Sequence, residues 1–324
     1  MKGRVFSGAR PTGRQHLGNY LGAVQNYVAL QEDYHCVYCV VDLHALTTVI
    51  EPELIQPNIR EMILDWLAAG MDAQRSIIFV QSHVPEVTEL HTLLSMITPL
   101  GWLLRLPTFK EKARQQPDNV NYGLVGYPVL MAADIALYKA DTVPVGDDQL
   151  PHLEFAREIV RRFNFTFGPT LVEPQAKLTK VPRVVGIDGV NKMSKSLNNH
   201  IEISAPPAEI RRLVMSMVTD PARRYRADPG HPEVCNVFSL HKIYSPGDLA
   251  QIETDCRTAK IGCVECKKLF AERLIAALTP FQERRAALAA DPALVPSVLA
   301  DGAKRAHAIA EVTLREVKEK IGLL

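Results

Sequence analysis

Two features that would attach this chain to a membrane are missing from its sequence. The 324 residues contain no run of about 18 apolar residues, the length that a helix needs to cross a bilayer. Met1–Arg4 leads directly into a segment with the character of a strand, so we expect no signal peptide. These absences predict a cytoplasmic protein with no membrane anchor.

An excess of one charge is also missing. Lys and Arg number 37, Asp and Glu number 36, and the formal net charge is +1. A chain with this balance does not attract polyanions over its whole surface, so any contact with nucleic acid must come from a local basic patch. Hydrophobic residues make up 47% of the sequence, which is ordinary for a soluble globular protein.

Disulfide bonds are not expected, because the cytosol keeps thiols reduced. The six cysteines form two groups along the chain. Cys36 and Cys39 lie in Tyr34–Val41, whose apolar residues predict a buried strand. Residues three apart on a strand point to opposite faces, so we interpret both as core cysteines and not as a pair of metal ligands.

The opening of the chain predicts a parallel α/β sheet. A strand over Arg4–Gly8 is followed by a turn rich in Gly and Pro over Ala9–Gly13, and a helix is predicted from Gln15 to Leu30. The motif G-x-G-x-x-G is absent, so the fingerprint of a dinucleotide site is absent as well. Further strands are predicted over Tyr34–Val41, over Ser76–Gln81, and in a segment that ends at Pro144–Gln149.

The composition predicts two domains. We expect a Rossmann-like catalytic domain over residues 1–200, completed by a C-terminal helix over 303–324, and a smaller all-helical domain over 201–302. Ser204–Pro207 is typical of a helix start. In the final helix, which is expected to pack back on the catalytic domain, apolar and small residues share one side: Ala306, Ile309, Ala310, Thr313 and Val317.

Lys192-Met193-Ser194-Lys195-Ser196 is the motif with the clearest chemical meaning. Two lysines three residues apart, in a polar loop, can close over a polyphosphate and neutralise charge that develops as a phosphoryl bond breaks. The alternative is a solvated basic surface loop. A second motif, His16-Leu17-Gly18-Asn19, begins the first helix, where His16 and Asn19 share a face and Gly18 leaves room for a planar base. Its alternative is a simple helix cap.

The segment Gly126–Tyr138 predicts a buried helix that contains one carboxylate. Tyr127, Met131 and Asp134 share a face at 3.6 residues per turn. A buried carboxylate accepts hydrogen bonds only, and an indole N–H donates only, so the two groups are complementary. Met131 offers a polarizable contact to an aromatic ring. The alternative is that Asp134 pairs with a donor of the protein.

The two motifs together resemble the paired signatures of class I aminoacyl-tRNA synthetases. Four further segments are similar to bacterial tryptophanyl-tRNA synthetases, and the resemblance extends from about residue 4 to the C-terminal helix: Phe6–Gly13, Gly18–Ala23, Val41–Ala45 and Pro144–Gln149. Arg10 is a departure, because this family often has Gln there. The resemblance implies ATP-dependent charging of tRNA(Trp) with L-tryptophan, with Mg²⁺ as cofactor. Its rivals are tyrosyl-tRNA synthetase, a catalytically idle RNA-binding paralogue and a simple nucleotidyltransferase.

The resemblance also assigns roles to individual residues. It implies a catalytic set of His16, Asn19, Lys112, Lys192 and Lys195. It implies an ATP site of Arg10, Thr12, Gly18, Asn19, Gly146, Asp148, Met193 and Ser194. It implies a tryptophan pocket of Phe6, His44, Tyr127, Met131, Asp134, Val143 and Gln149. For two of these residues a simpler reading stays open: His44 as a satisfied histidine at a strand end, and Lys112 as a solvated lysine.

Family members are homodimers, and the resemblance implies a subunit contact near Leu90–Leu106, which is strongly apolar for a connecting segment. The helical domain is similar to an anticodon-binding domain and contains several arginines, although a basic helical face can also be simply solvated: Arg211, Arg212, Arg223, Arg224 and Arg226.

The second group of cysteines has the spacing C-x20-C-x6-C-x2-C: Cys235, Cys256, Cys263 and Cys266. Four thiolates from such a segment suit either tetrahedral Zn²⁺ or a [4Fe–4S] cluster, and the remaining alternative is buried reduced cysteines. Some bacterial tryptophanyl-tRNA synthetases resemble this chain in holding an iron–sulfur cluster on a very similar set in the same domain. The resemblance therefore favours a [4Fe–4S] cluster that orders the domain and takes no part in the chemistry.

Overall fold

The computed structural model describes residues 2–47, 51–178 and 184–324. Within these residues a parallel sheet has the strand order β3-β2-β1-β4-β5. The strands are β1 Arg4–Ala9, β2 His35–Val40, β3 Ile77–Val80, β4 Thr142–Val145 and β5 Gln175–Leu178. The order reverses direction between β1 and β4, which is the position where open α/β sheets bind ligands. The predicted α/β class with a parallel sheet and a helical C-terminal region is confirmed.

Helices surround this sheet and form the C-terminal part of the chain. Those of the N-terminal part are α1 Leu17–Asn19, α2 Gln25–Leu30, α3 Asp42–Ala45, α4 Pro52–Ala69, α5 Glu86–Ser95, α6 Leu100–Arg105, α7 Pro107–Gln115, α8 Tyr122–Leu137 and α9 Leu150–Phe167. Those of the C-terminal part are α10 Pro207–Ser216, α11 Asn236–Tyr244, α12 Leu249–Arg257, α13 Cys263–Ala289 and α14 Leu294–Lys320. No helix of the described residues is long and apolar enough to span a bilayer.

The predicted first helix is divided in the structure. It begins at Leu17, two residues later than expected from Gln15, because His16 is extended and caps it. A π-helical turn over Tyr20–Val24 then separates α1 from α2. Turns of this kind often occur at functional sites.

Strand β2 confirms that Cys36 and Cys39 diverge. Cys36 packs with α2 and α4 on one face of the sheet, whereas Cys39 packs with α5, α8 and α9 on the other face. Both thiols are buried and free, and burial raises the pKa of Cys39 well above its ordinary value. These two residues are core cysteines, as predicted.

The C-terminal helix α14 crosses the edge of the sheet. Its first turns pack through Val295 and Leu299 with one face, and its later turns pack through Ala306 and Ala310 with the other face. Gly302 lies at the crossing, where an added Cβ would be only 1.8 Å from the carbonyl oxygen of Ile78 in the edge strand β3. The helix packs on the catalytic part as expected.

Candidate active site

A cavity of about 370 Å³ opens at the carboxyl ends of β1, β2 and β4. Residues from separate elements line it, among them all seven that the sequence predicts for the amino-acid pocket: Phe6, His44, Tyr127, Met131, Asp134, Val143 and Gln149. Arg10, Lys112 and Gly146, predicted for the phosphate and ribose end, line the same cavity. The sheet therefore brings together ten of the predicted residues in one space.

Asp134 is the buried acidic group of this cavity and is 2% exposed. One carboxylate oxygen lies 2.8 Å from His44 Nε2. The Gln81 side-chain amide donates to both oxygens, at 2.7 and 2.9 Å. Asp134 thus has the protein donors that the alternative interpretation required. A carboxylate offers about four acceptor positions, so one remains for a donor in the cavity.

Gln81 is a site residue that the sequence interpretation missed. It is 1% exposed and directly follows β3, at the sheet edge where His44 follows β2. A polar residue after a buried strand was the available signal, because the carboxyl ends of parallel strands share one edge.

Tyr127 contributes its hydroxyl to a compact polar triangle. The hydroxyl oxygen lies 3.0 Å from Thr108 Oγ1 and 2.9 Å from His152 Nε2, and these two atoms lie 2.7 Å apart. Burial and the charge of Lys112 lower the pKa of His152. Neither Thr108 nor His152 was predicted, since a Thr in a helix start and a His in an amphipathic helix are common and carry no distinctive signal.

Lys112 is only partly exposed. Its ammonium lies 4.0 Å from the centre of the Tyr127 ring, a cation–π contact. Burial, and to a smaller degree Arg10, lower the pKa of the Lys112 ammonium. The geometry therefore disfavours the reading of Lys112 as a fully solvated lysine.

His16 and Asn19 cap helix α1 through each other. His16 Nδ1 accepts a hydrogen bond from the Asn19 backbone N–H at 3.2 Å, and Asn19 Oδ1 accepts one from the His16 backbone N–H at 3.4 Å. Burial, followed by the charges of His200, Lys195 and Lys192, lowers the pKa of His16 to about 4. His16 is therefore neutral at pH 7, with Nδ1 as acceptor and Nε2 as the nitrogen that carries the proton.

The lysine loop, Lys192–Ser196, contacts the segment that precedes His16. Lys195 Nζ donates to the Thr12 carbonyl oxygen at 2.6 Å and lies 3.8 Å from Glu202. Met193 is 2% exposed, and its Cβ lies 3.4 Å from the position that an added Cβ on Gly18 would take. The two motifs, far apart in sequence, are therefore neighbours in space.

The predicted residues fall into two groups in the structure. Ten line the cavity, and a second set belongs to the motif segments or the rim and does not line it: Thr12, His16, Gly18, Asn19, Asp148, Lys192, Met193, Ser194 and Lys195. Asp148 belongs to the rim, since one of its oxygens is 2.8 Å from an added Cβ on Gly146. An apolar cavity with a buried carboxylate, next to two lysines, suits a substrate with an aromatic donor and a polyphosphate.

The four late cysteines lie in one region of the helical part. The Arg223 guanidinium is 4.0 Å from Cys256 Sγ and 3.9 Å from Cys263 Sγ. Burial and then the other three thiols raise the pKa of Cys266 to about 12. Among the described residues, no three side chains of His, Cys, Asp or Glu converge as the ligands of one metal ion do.

Comparison with known proteins gives a consistent set of similarities. The family described as tRNA synthetases class I (W and Y) matches residues 1–279. The tryptophan–tRNA ligase of Deinococcus radiodurans is 46% identical and that of a Nostoc species is 43% identical; the alignments cover 99% of this chain in both cases, and 99% and 98% of those proteins. A crystal structure of tryptophanyl-tRNA synthetase from Campylobacter jejuni, complexed with ADP and tryptophan, has a TM-score of 0.90 at 34% identity and covers 98% of this chain and 99% of that one.

Proposed function

The chain belongs to the class I tRNA synthetases of the tryptophan and tyrosine group, and from this premise we propose that it is the tryptophan enzyme: an ATP-dependent ligase that joins L-tryptophan to tRNA(Trp). The proposal of tryptophan as the amino acid rests on the Asp134 carboxylate. It is buried in an apolar cavity and can still accept one hydrogen bond. An indole N–H fits this position because it only donates.

The reaction proceeds in two steps. The tryptophan carboxylate is ionised at pH 7 and needs no general base. It attacks the α-phosphate of ATP in line, which forms tryptophanyl-adenylate and releases pyrophosphate. A hydroxyl of the terminal tRNA ribose then attacks the acyl carbon and displaces AMP.

Catalysis in this scheme consists of positioning and charge stabilisation. Lys192 and Lys195 neutralise charge on the phosphates, while neutral His16 donates from Nε2 to a phosphate oxygen. ATP lies against a surface completed by Thr12, Gly18, Asn19, Met193 and Ser194. Its ribose lies at Gly146 and Asp148. Mg²⁺ accompanies ATP and is held mainly by the substrate phosphates. Tyr127 and Gln149 face the amino-acid head group, Arg10 and Lys112 face the pyrophosphate end, and the indole lies among Phe6, Met131 and Val143.

Amino-acid-dependent exchange of pyrophosphate into ATP, screened over all twenty amino acids, tests this function. Exchange that requires tryptophan supports it. Exchange that requires tyrosine assigns the enzyme to the other member of the family. No exchange with any amino acid, in protein shown to be folded, supports an idle RNA-binding paralogue.

Asp134→Asn is expected to weaken the use of tryptophan without unfolding the protein. Asn keeps the shape but replaces one acceptor oxygen with a donor, so either Gln81 or the indole N–H faces an N–H. For a charge-assisted hydrogen bond we expect a loss of about 1.5–3 kcal/mol, or roughly 10- to 150-fold in kcat/KM for tryptophan. Exchange kinetics at varied tryptophan concentration measure it.

Asp42→Asn is the matched control. Asp42 is also a buried carboxylate at the end of β2, but it accepts from Ser82 and does not line the cavity. Equal losses in both variants, or no loss in Asp134→Asn, would contradict the role of Asp134 as the acceptor for the indole N–H.

We further propose that Cys235, Cys256, Cys263 and Cys266 hold a [4Fe–4S] cluster. Each thiolate of such a cluster binds a different iron, so its four ligands stand further apart than those of a single Zn²⁺ ion. Arg223 Nε is buried with no hydrogen-bond partner, which suits a nearby sulfide.

The backbone around these cysteines also supports a cluster. An added Cβ on Gly230 would lie 2.4 Å from Cys256 Sγ, so only glycine lets that sulfur approach the backbone so closely. Cys263 is the first residue of α13 and Cys235 directly precedes α11, and the N-terminus of a helix stabilises a thiolate. The cluster would tie distant turns of the helical part together.

Protein purified without oxygen is expected to be brown and to contain about four irons per chain. Elemental analysis and the visible absorption spectrum measure this. Cys263→Ser should lose iron while it retains tryptophan-dependent exchange, because the cluster lies outside the active site, and Cys36→Ser, which changes a core cysteine, should keep its iron. Stoichiometric zinc, or no metal, would exclude the cluster.

We propose that the enzyme is a homodimer that uses the surface of α5 and α6. Met96, Leu100 and Leu104 are 76%, 60% and 41% exposed there, a density of apolar side chains typical of an interface. Light scattering should give a mass of two 36.0 kDa chains. Met96→Glu should give the mass of one chain, and Met96→Leu should leave the dimer intact; a monomeric wild type would contradict the proposal.

We propose the domain division expected from the sequence, with residues 1–200 and the final helix as the catalytic domain and the helical segment between them as the domain that binds the tRNA anticodon. The expected start of the final helix at residue 303 is corrected to Leu294, because the first turns of α14 already pack on the sheet through Val295 and Leu299. Three of the five arginines named in the sequence analysis already pair with glutamates on the surface: Arg211 with Glu272, Arg212 with Glu209 and Arg226 with Glu265. Arg224 is exposed and supports a contact with phosphate or base.

A further inference from the structure

One turn of helix α13 carries three side chains that contact α4 and the segment after the lysine loop. Gln282 donates to the Ile203 and Ala205 carbonyl oxygens at 3.0 and 2.9 Å. Arg284 Nε donates to the Ala68 carbonyl at 2.8 Å. Arg285 Nε donates to Asp65 Oδ1 at 2.5 Å. This turn therefore connects the helical part to both α4 and the segment after the lysine loop.

Asp65 connects this turn to the residue before His16. It lies on α4 and is 0% exposed. Its other oxygen, Oδ2, accepts from the Gln15 backbone N–H at 2.5 Å. One buried carboxylate thus joins Arg285 of α13 to the backbone that directly precedes the catalytic motif.

The same backbone is joined to the segment that leaves the lysine loop. The Gln15 carbonyl accepts from the Ile203 N–H at 3.0 Å, and the Leu17 N–H donates to the Ile201 carbonyl at 2.9 Å. Gln282 of α13 holds this segment from its other side. The same turn of α13 therefore contacts both Asp65, which binds the backbone before His16, and the segment that follows the lysine loop.

Stability alone does not account for this arrangement. A buried ion pair gives up the hydration of both charges, and apolar residues of similar volume in its place are often as stable or more stable. Burial raises the pKa of the Asp65 carboxyl in spite of Arg285, which shows that the site penalises the charge. What an apolar residue cannot do is accept the Gln15 N–H and Arg285 together in fixed directions.

We infer that Asp65 is a positioning residue for His16, and that through Asp65 and Arg285 the helical part of the chain sets the placement of the motif at the reaction centre. The inference rests on the proposed function. Asp65 does not line the cavity, so its effect should fall on the rate of adenylate formation and not on tryptophan binding. Misplacement of a catalytic group by about 1 Å is sufficient for a loss of about 100-fold.

The test compares Asp65→Asn and Arg285→Gln with wild type in tryptophan-dependent pyrophosphate exchange. We expect kcat to fall by about 10- to 100-fold in both variants, with KM for tryptophan changed by less than about twofold. Arg284→Gln is the matched control, because Arg284 lies on the same turn but donates to the Ala68 carbonyl and not to Asp65; its kcat should stay within about twofold of wild type.

A double-mutant cycle with His16→Gln distinguishes a loss of kcat that acts through His16 from a loss caused by general disruption of the fold. If Asp65 acts through His16, Asp65→Asn should slow the His16→Gln enzyme by less than about twofold. An equal loss in both backgrounds, or an unchanged kcat in the single variants, overturns the inference. If Asp65→Asn does not fold, the same cycle with Arg285→Gln decides, and a wild type without tryptophan-dependent exchange would instead contradict the proposed function.

Discussion

Replacement of Lys195 by alanine is expected to slow tryptophan-dependent pyrophosphate exchange by about 100-fold or more, the loss typical of a charge contact made in the transition state. The Lys195 ammonium donates to the Thr12 carbonyl oxygen, which places it beside the segment that precedes the first motif. Burial lowers its pKa, which indicates partial removal from water, and a charge in such a place interacts more strongly with phosphate oxygens.

Steady-state exchange, with ATP and tryptophan varied separately, measures this loss. The fall should appear in kcat, while KM for tryptophan should change little because Lys195 does not line the cavity. Lys304→Ala is the control, since Lys304 is an exposed lysine on α14. Full activity in Lys195→Ala would support the alternative interpretation, in which the lysine loop is a solvated surface loop.

Gly302→Val is expected to destabilise the protein by about 3 kcal/mol or more, at the upper end of the effects of overpacking. The first added carbon would lie 1.8 Å from the Ile78 carbonyl oxygen and 2.6 Å from its carbonyl carbon. These atoms belong to the backbone of β3, which cannot rotate away as a side chain can. The helix must instead move off the sheet, and Arg305, whose guanidinium donates to the Ala73 carbonyl at 2.7 Å, would move with it.

Urea unfolding followed by circular dichroism measures the change, with Gly101→Ala as the control. Gly101 is also a helical glycine, but an added Cβ there has no neighbour within 4 Å. Alanine at position 101 should be neutral or slightly stabilising, because glycine is a poor helix residue. A Gly302→Val protein as stable as wild type would show that α14 does not sit against β3 so closely.

The sequence predicted the catalytic sheet well where its strands are apolar, and missed the strand that is not. β2, β3 and β4 are buried for most of their length and β1 for half of it, whereas every residue of β5 is exposed and its sequence, Gln-Ala-Lys-Leu, has no apolar run. Pairing with β4 defines β5, and pairing between distant segments leaves no local pattern. The start of α14 was missed for a related reason: Pro296 and Gly302 are weak helix residues, but tertiary packing overrides their propensity.

The candidate site shows the same division. Asp134 was found because a lone acid in an apolar helix is an anomaly in the sequence itself. Gln81, Thr108 and His152 are ordinary residues in their own segments. They become notable only because the fold brings them against Asp134 and Tyr127, which line the cavity. The link from Asp65 to Gln15 spans fifty positions, so spacing within a motif gives no sign of it.

Because α14 crosses the edge strand β3, this edge of the sheet stays uncovered until α14 has been synthesised. β3 leaves the ribosome long before the last helix, so throughout most of synthesis its outer edge has no covering element. An uncovered edge strand is a template for pairing with other chains, and nascent chains are exposed to this hazard for as long as they remain incomplete. Synthesis of α14, more than assembly of the other strands, should therefore set the moment at which the nascent chain is protected from aggregation through this edge, and truncation before residue 294 should yield insoluble protein.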